Sequence, residues 1–286
     1  MTWRMSVLER VRSLVGRAVR SLARLAGQDV VSRNFYSPIP QVETLSDETF
    51  TVPSSLPGIR FDYDEQLARL EALQPYLREY QAPPNPMYGP GESDVLYATL
   101  RARRPRRVVE LGSGYSSLII AEACRRNSAE GHATHYEAYD PFPRDFVASG
   151  IPGLNVFRRT PAQEIPLETF SALQERDVLF VDTTHTVKVG SDVNYVILDV
   201  LPRLRRGVVV HLHDIWLPYA YPKAFLEQRV FWQEQYLLQA FLVFNPHFEV
   251  LYGLSALARD RRAEFEARVR ALPPDYVPSA FWIERV

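Results

Sequence analysis

The chain of 286 residues contains a single cysteine, Cys124, and only two lysines, Lys188 and Lys223. One cysteine excludes an internal disulfide and a zinc site built from several thiolates. The formal net charge of −1 gives no reason to expect nucleic acid or another polyanion as a partner. No apolar run approaches the roughly 20 residues that a spanning helix needs. We therefore expect a soluble, cytoplasmic protein.

What the chain does contain is ample apolar material, since 46% of its residues are hydrophobic and 12% are aromatic. Residues 1–27 carry apolar side chains at three- and four-residue steps, with arginines off that stripe and Glu9 as the only acid. This pattern predicts a basic amphipathic helix. Such a helix either lies on an anionic membrane surface or docks on protein, meaning its own domain or a second subunit.

Residues 28–84 form the next segment, which begins with prolines and few helix formers. We expect an extended arm here, followed by a helical cap over residues 62–80. Leucines recur at helical spacing in the cap, and Pro75 is expected to kink or divide it.

From residue 85 onwards the pattern predicts one α/β domain, 85–286. Strand-like and helix-like segments alternate, which is typical of a doubly wound, mostly parallel sheet covered on both faces. Residues 222–244 are expected to form one long helix, and residues 261–272 another. The seven predicted strands, of which the last two finish the sheet, are 107–111, 134–139, 154–158, 177–182, 207–213, 248–252 and 280–284.

The first of these strands ends in an acid and two glycines spaced one apart, Glu110, Gly112 and Gly114, before an apolar helix. Glycines let the backbone approach a ligand closely, and the helix N-terminus offers free N–H groups. A dinucleotide motif would have a third glycine where Ser117 stands. Together with Asp140, which closes the second strand, Glu110 suits a cofactor that has an amino group and a ribose but no pyrophosphate.

The stretch Glu110-Leu111-Gly112-Ser113-Gly114-Tyr115-Ser116 resembles the first motif of class I S-adenosylmethionine (SAM) dependent methyltransferases, and its Gly-Tyr-Ser ending is similar to that of the catechol-type O-methyltransferases. The resemblance covers residues 85–286. It includes Asp182-Thr183-Thr184-His185 after strand four and His213-Asp214 after strand five. It implies a Rossmann-like, seven-stranded fold with an N-terminal helical extension, and SAM as the cofactor.

Cofactor contacts follow from the resemblance. It places Gly112, Ser113 and Gly114 around the methionine part of SAM, with Ser116 near its carboxylate. Asp140 binds the ribose, and Glu110 accepts from the amino group. The resemblance also implies that Ala162 and Gln163 contact the adenine and that Tyr88 covers the cofactor. Pro161 stands where the family commonly has an acid.

Catalytic and metal-binding residues are implied in the same way. The catechol-type pattern puts a divalent metal on Asp182, His213 and Asp214, and it puts His185 at the position of the family's basic lysine. Histidine makes the donor set softer than the family's, better suited to manganese, iron or zinc than to magnesium. Because an unperturbed histidine titrates near neutrality, His185 or His213 is expected to act as the base without a large pKa shift. These groups can alternatively only orient substrate or align a loop.

The predicted function is SAM-dependent O-methylation of a small-molecule hydroxyl. The aromatic loop 215–222, together with Phe35 and Tyr36, is expected to wall the acceptor pocket. Two alternatives stay open: a binding or scaffold protein on the SAM fold without methyl transfer, and a metal-dependent enzyme of other chemistry.

Overall fold

The computed structural model describes residues 7–32, 34–81 and 85–286, and it divides the chain into two compact units, Met1–Leu45 and Ser46–Val286. The smaller unit contains helix α1 (Val7–Leu25) and a 3-10 turn at Val42–Thr44. Helix α1 lies within the stretch 1–27 for which a helix is expected, and residues 1–6 of that stretch lie outside the described residues. None of the described helices is long and apolar enough to cross a membrane.

The larger unit is built on a seven-stranded sheet with the order β3-β2-β1-β4-β5-β7-β6. Only β7 runs antiparallel to its neighbours, β5 and β6. All seven predicted strands are present, shortened by one or two residues at half of their ends and lengthened by one residue at the ends of the last two. Their bounds are β1 (Arg107–Leu111), β2 (His135–Tyr139), β3 (Val156–Arg158), β4 (Val178–Val181), β5 (Val209–Leu212), β6 (Phe248–Gly253) and β7 (Phe281–Arg285).

Both faces of this sheet are buried, as parallel sheets require. Successive residues of a strand point to opposite faces, so the valine pair of β1 divides between two cores. Val108 packs in the core that also contains Leu96 and Ile120, whereas Val109 packs in the core that contains Ile197 and Leu212. The valine pair of β1 and the continuous apolar run of β4 are explained by this two-sided burial.

Helices cover the sheet and connect its strands. They are α2 (Glu48–Thr51), α3 (Tyr63–Ala72), α4 (Gln74–Glu79), α5 (Glu92–Arg103), α6 (Tyr115–Ala129), α7 (Asp145–Ala148), α8 (Leu167–Ser171), α9 (Asp192–Asn194, continued by a π-helical segment at Tyr195–Val200), α10 (Lys223–Glu227), α11 (Glu234–Leu242), α12 (Leu254–Asp260) and α13 (Arg262–Glu266).

Two helix predictions were wrong in length. The expected long helix over 222–244 is interrupted between α10 and α11, where Arg229 adopts a left-handed backbone conformation with φ of 64°. The helix expected over 261–272 is α13, which stops at Glu266. In the stretch 222–244 the aromatic periodicity continues through the turn between α10 and α11, which is why it suggested one helix.

The predicted cap is divided near Pro75 into α3 and α4, as expected. Its leucines, Leu67, Leu70 and Leu73, belong to the same core as Val108 of β1. The cap is therefore an integral layer of the larger unit, and the boundary between units falls at 45/46 instead of at 84/85.

Candidate functional site

The turn between β1 and α6 depends on Gly112 for a reason internal to the fold. Gly112 has φ of 78°, and a Cβ at this position would overlap the backbone carbonyl of Asp182, which follows β4. Gly114 differs, because a Cβ there would meet only Arg144 Nε, at 4.0 Å. The first glycine lets two strand ends approach each other, and the second faces open space.

Glu110 lies beneath this turn and not in it. Its side chain is fully buried and accepts hydrogen bonds from the hydroxyls of Ser116, Ser117 and Tyr136. Both carboxylate oxygens are therefore used within the protein. The predicted contact between Glu110 and a cofactor amino group is not supported by this placement, since Glu110 fixes the first turn of α6 from below.

Asp140, at the end of β2, reaches the turn as predicted. Its Oδ2 accepts hydrogen bonds from Ser113 N at 2.9 Å and Ser113 Oγ at 2.8 Å. Its Oδ1 accepts from Phe142 N at 2.7 Å. Asp140 lines a cavity of about 390 Å³ together with Gly112, Ala162, Gln163 and the exposed ring of Phe142.

A second cavity, of about 790 Å³, adjoins the first, and Ser113, Asp182, Thr183 and Thr184 line both. The larger cavity brings together most of the remaining predicted residues: Tyr88, Ser113, Gly114, Ser116, Asp182, His185, His213 and Asp214. The carboxyl ends of β1, β4 and β5 are adjacent in the sheet, which is why residues so distant in sequence meet here.

Two carboxylates and a histidine form the centre of the larger cavity. His185 Nε2 lies 3.3 Å from Asp182 Oδ1 and 3.6 Å from Asp214 Oδ2. One donor atom from each of these three residues lies within 4.8 Å of the others, a grouping that could hold a metal ion. His185 and Asp214 both have φ of 55°, a conformation that side chains other than glycine seldom adopt and that concentrates at functional sites.

His213 stands next to this group. Its Nδ1 is 3.5 Å from Asp214 Oδ2 and 3.8 Å from Asp182 Oδ1, and its Nε2 is 3.5 Å from Glu92 Oε2. Neither ring nitrogen has a hydrogen-bond partner, although both are buried. The ring of Tyr88 stacks on that of His213 at a centroid distance of 5.0 Å.

The pKa values in this cluster differ from the expectation of unperturbed histidines. Burial would lower the pKa of His185, but hydrogen bonds to Asp182 and Glu234 outweigh it and raise the pKa to about 10. Burial likewise acts against the charge on His213, whose pKa is nevertheless raised well above normal by Asp182, Glu92 and Asp214. The pKa values of both histidines are therefore shifted upwards by the surrounding carboxylates, whereas the sequence led us to expect no large shift.

His211, two residues earlier, is the core histidine that its position within β5 suggests. It is fully buried, burial holds its pKa well below the usual range, and its Nε2 lies 2.7 Å from the Tyr88 hydroxyl.

Four residues of the site were missed by the sequence analysis. Glu234 pairs with His185, and Glu92 accepts hydrogen bonds from Ser279 and Tyr276. Trp232 and Arg144 line the larger cavity. In the sequence, Glu234 shows itself merely as an acid within an aromatic run at 231–236. The interruption before α11 is what brings this acid to the site.

Aromatic side chains form much of the wall of the larger cavity. Besides Tyr88 and Tyr115 they are Trp216, Phe225, Trp232 and Tyr276. Trp216 and Pro222 belong to the predicted loop, whereas Phe35 and Tyr36 are 91% and 89% exposed in the smaller unit. The described walls of the larger cavity thus include part of the predicted loop.

Comparison with known proteins agrees with this geometry. Residues 109–215 match the family model described as a methyltransferase domain. The match begins in β1 and ends just after His213 and Asp214, so it contains the glycine turn and the acidic cluster. With the sheet order and its antiparallel seventh strand, the match supports the predicted resemblance to class I SAM-dependent methyltransferases. The predicted resemblance and the predicted fold class are confirmed.

Individual relatives are distant. An uncharacterized protein of Archaeoglobus fulgidus is 26% identical over 194 residues, covering 59% of this chain and 85% of that protein. Among solved structures, an S-adenosylhomocysteine (SAH) bound methyltransferase of Podospora anserina is 18% identical, covering 80% of this chain and 90% of that chain, with a TM-score of 0.41. An O-methyltransferase of Bacillus cereus in complex with SAH is 13% identical, covering 86% and 100%, with a TM-score of 0.40.

Proposed function

We propose that this protein transfers the methyl group of SAM to a hydroxyl of a small molecule. The observation that carries the proposal is the continuity of the two cavities through Ser113 and Asp182–Thr184. A ligand seated against Asp140 in the smaller cavity can extend past the glycine turn to the acidic cluster in the larger one.

The lining residues fit SAM part by part. Asp140 offers carboxylate oxygens to the ribose hydroxyls, and Ala162, Gln163 and Phe142 surround a space for adenine. Gly114 and Ser116 border the space for the methionine part, where Arg144 supplies a cation for the cofactor's carboxylate. SAM supplies a methyl group on a positively charged sulfur.

A divalent cation fits the group formed by Asp182, His185 and Asp214. Two carboxylate oxygens and an imidazole nitrogen are common ligands of zinc, iron and manganese. Two observations support this fit: the three donor atoms converge, and His185 Nε2 lies 3.3 Å and 3.6 Å from the two carboxylates. When bound, a cation would polarise the acceptor hydroxyl and lower its pKa. His213 stays a predicted fourth ligand.

The protein's own groups have separable roles in this proposal. The aromatic walls hold the acceptor against the cofactor and exclude water, and positioning of this kind accounts for much of the rate of a displacement. As the alternative to its predicted role as a fourth ligand, His213 in its neutral form is the proposed proton acceptor, because its two ring nitrogens have no hydrogen-bond partner and Asp214 beside it stabilises the imidazolium that results. Burial would raise the pKa of Asp214, but His213 and other partners outweigh it and lower the pKa to about 2.

Cofactor binding is tested by calorimetry with SAH. We expect binding to the native chain and a loss of roughly 10- to 100-fold in affinity for Asp140→Ala, because charge-assisted hydrogen bonds to the ribose are removed. Asp145→Ala, which removes an exposed acid five residues away, is the matched control and should bind like the native chain. Failure of the native chain to bind SAH at high micromolar concentration would refute the proposal.

Methyl transfer to oxygen is tested with methyl-labelled SAM and a panel of phenols, catechols and sugars, each with and without a chelator. We expect label on a hydroxyl oxygen and a lower rate after chelation, restored by manganese. Label found only on nitrogen or carbon acceptors would contradict O-methylation, and an unchanged rate after chelation would contradict the cation.

A further inference from the structure

Glu234 is the first residue of α11 and is 1% exposed. Its Oε2 lies 2.7 Å from Nδ1 of His185, a residue 49 positions earlier in the chain. A carboxylate buried this deeply carries a large desolvation cost unless it is paired, so its placement against the imidazole has a structural reason.

We propose that Glu234 is a positioning residue of the active site, which accepts a hydrogen bond from His185 Nδ1–H and so presents Nε2 to Asp182 and Asp214. In this arrangement the carboxylate of Glu234 accepts the hydrogen bond and the imidazole donates its Nδ1–H. The nitrogen that remains, Nε2, lies 3.3 Å and 3.6 Å from the two carboxylates. A histidine that binds a metal through one ring nitrogen commonly donates the N–H of its other ring nitrogen to a carboxylate.

The backbone and the neighbouring ring hold His185 in the same orientation. The carbonyl oxygen of His185 accepts hydrogen bonds from Gln233 N at 2.9 Å and Glu234 N at 3.2 Å. The ring of Trp232 packs on the imidazole at a centroid distance of 4.3 Å. Residues 232–234 thus contact the ring face, the main chain and Nδ1 of His185. These contacts together explain how the left-handed backbone of His185 is maintained.

This proposal rests on the proposed function, because the carboxylates that Nε2 faces are the suggested cation ligands. The test uses the full chain and two variants, Glu234→Leu and Glu234→Gln. Leucine removes the acceptor at similar volume, whereas glutamine keeps one acceptor oxygen. Glu227→Leu, at an exposed acid on α10, is the matched control.

Two measurements decide the role. Titration with Mn²⁺ alone should show affinity about 10- to 100-fold lower for Glu234→Leu, the usual cost of losing such a partner, with recovery in Glu234→Gln. The proton spectrum of the metal-free chain should show a downfield His185 N–H resonance that Glu234→Leu abolishes and Glu234→Gln retains. SAH affinity depends on contacts near Asp140, away from Glu234. It should therefore stay within about twofold in every variant that folds.

Equal Mn²⁺ affinity in the native chain and Glu234→Leu would overturn the positioning role, as would an N–H resonance that survives in Glu234→Leu. If the native chain binds SAH but no Mn²⁺, the cation is refuted while the resonance still decides the orientation of His185. If Glu234→Leu does not fold, Glu234→Gln is compared with the control Glu227→Leu. Both must then retain the His185 N–H resonance, and its loss in Glu234→Gln alone would contradict the proposal.

Helix α1 carries a second inference, on observations independent of the active site. Val15, Val19 and Leu22 are 58%, 47% and 68% exposed, and at 100° per residue they share one face of the helix. Arg17, Arg20 and Arg24 fall on the opposite face. Residues 1–27 contain six arginines and a single acid.

We infer that α1 lies on the surface of a membrane that contains anionic lipids. The apolar face would enter the boundary between head groups and acyl chains, and the arginines would pair with anionic head groups. The excess of positive charge favours this occupant over a second copy of the chain, because two such helices repel each other.

Sedimentation of the full chain with vesicles tests this inference. We expect binding to vesicles of phosphatidylcholine mixed with phosphatidylserine, little binding to phosphatidylcholine alone, and weakening by salt. Leu22→Glu should reduce binding at least about tenfold, since it places a charge in the apolar face. Leu198→Glu makes the same change at an exposed leucine of the larger unit and should have no effect.

Absence of binding to the anionic vesicles at low salt would refute the membrane inference. A chain that is dimeric in light scattering, and that becomes monomeric in Leu22→Glu, would refute it in favour of self-association.

Discussion

At the scale of single residues, the two glycines of the turn after β1 do different work although they belong to one motif. Gly112 is required by the approach of Asp182, and its φ lies in the left-handed region. Gly114 has an extended backbone and faces the cavity, with only Arg144 near its missing side chain. The motif therefore combines one folding requirement with one binding requirement.

Substitution separates these two requirements. Gly112→Ala should destabilise the fold by about 3 kcal/mol or more, because the methyl group overlaps backbone that cannot move without separating β1 from β4. Gly114→Leu should keep its melting temperature within a few degrees and lose at least about 100-fold in SAH affinity. Thermal unfolding and calorimetry on both variants check this, and a Gly114→Leu variant that still binds SAH tightly would contradict it.

Glu110 supplies a pH dependence of stability. Burial raises its pKa to about 7, against hydrogen bonds from Tyr136, Ser117 and Ser116 that lower it. Since the folded pKa exceeds the unfolded value, the contribution of Glu110 is fully present below about pH 4.5 and is lost as pH rises through about 7. Relative to Glu110→Gln, the native free energy of unfolding should fall by on the order of 3 kcal/mol between pH 5 and pH 9. Urea denaturation of both proteins across this range measures it, and parallel curves would exclude the assignment.

At the scale of elements, the starts of the central strands are fixed by a buried acid far from the site. Asp177, immediately before β4, is 2% exposed. Its Oδ1 accepts hydrogen bonds from the backbone N–H groups of Arg106 at 3.0 Å and Arg107 at 2.8 Å, and its Oδ2 accepts from Gln174 N at 2.8 Å. This one side chain ties the beginning of β1 to the beginning of β4, while the opposite ends of the strands carry the chemistry.

Asp177→Ala should therefore lower stability and leave binding intact. Three N–H groups lose their acceptor, at a cost of about 2–4 kcal/mol in total, but the site lies at the other end of the sheet. Denaturant unfolding measures the first effect and SAH calorimetry the second. The exposed Asp199→Ala is the control and should change neither, and a large loss of SAH affinity in Asp177→Ala would show that the two strand ends are coupled.

At the scale of the whole molecule, the two compact units separate the proposed chemistry from the proposed attachment. Both cavities are lined by residues of Ser46–Val286, and the first of these is Met87. The exposed amphipathic helix belongs to Met1–Leu45. The residues that line the two cavities are therefore kept in a chain that lacks residues 1–45.

A chain lacking residues 1–45 should accordingly bind SAH within about twofold of the full chain, and each should gain about 2.7 kcal/mol of stability at a ligand concentration 100 times Kd. Calorimetry and thermal unfolding in the presence of SAH provide the comparison. A strong loss of affinity on truncation would mean that the smaller unit takes part in the cofactor site.

The sequence by itself determined the strands, their alternation with helices, and the resemblance to a methyltransferase domain, because these depend on local periodicity and on short motifs such as Glu110 to Ser116. It also named the polar residues that follow β4 and β5. Only the tertiary structure decided that Glu110 turns inward, that Gly112 serves the fold, and that Glu234 meets His185 across 49 residues. The pKa of His185 near 10 was equally beyond the sequence. Burial and charge pairing are properties of packing between distant segments, and no local pattern of residues encodes them.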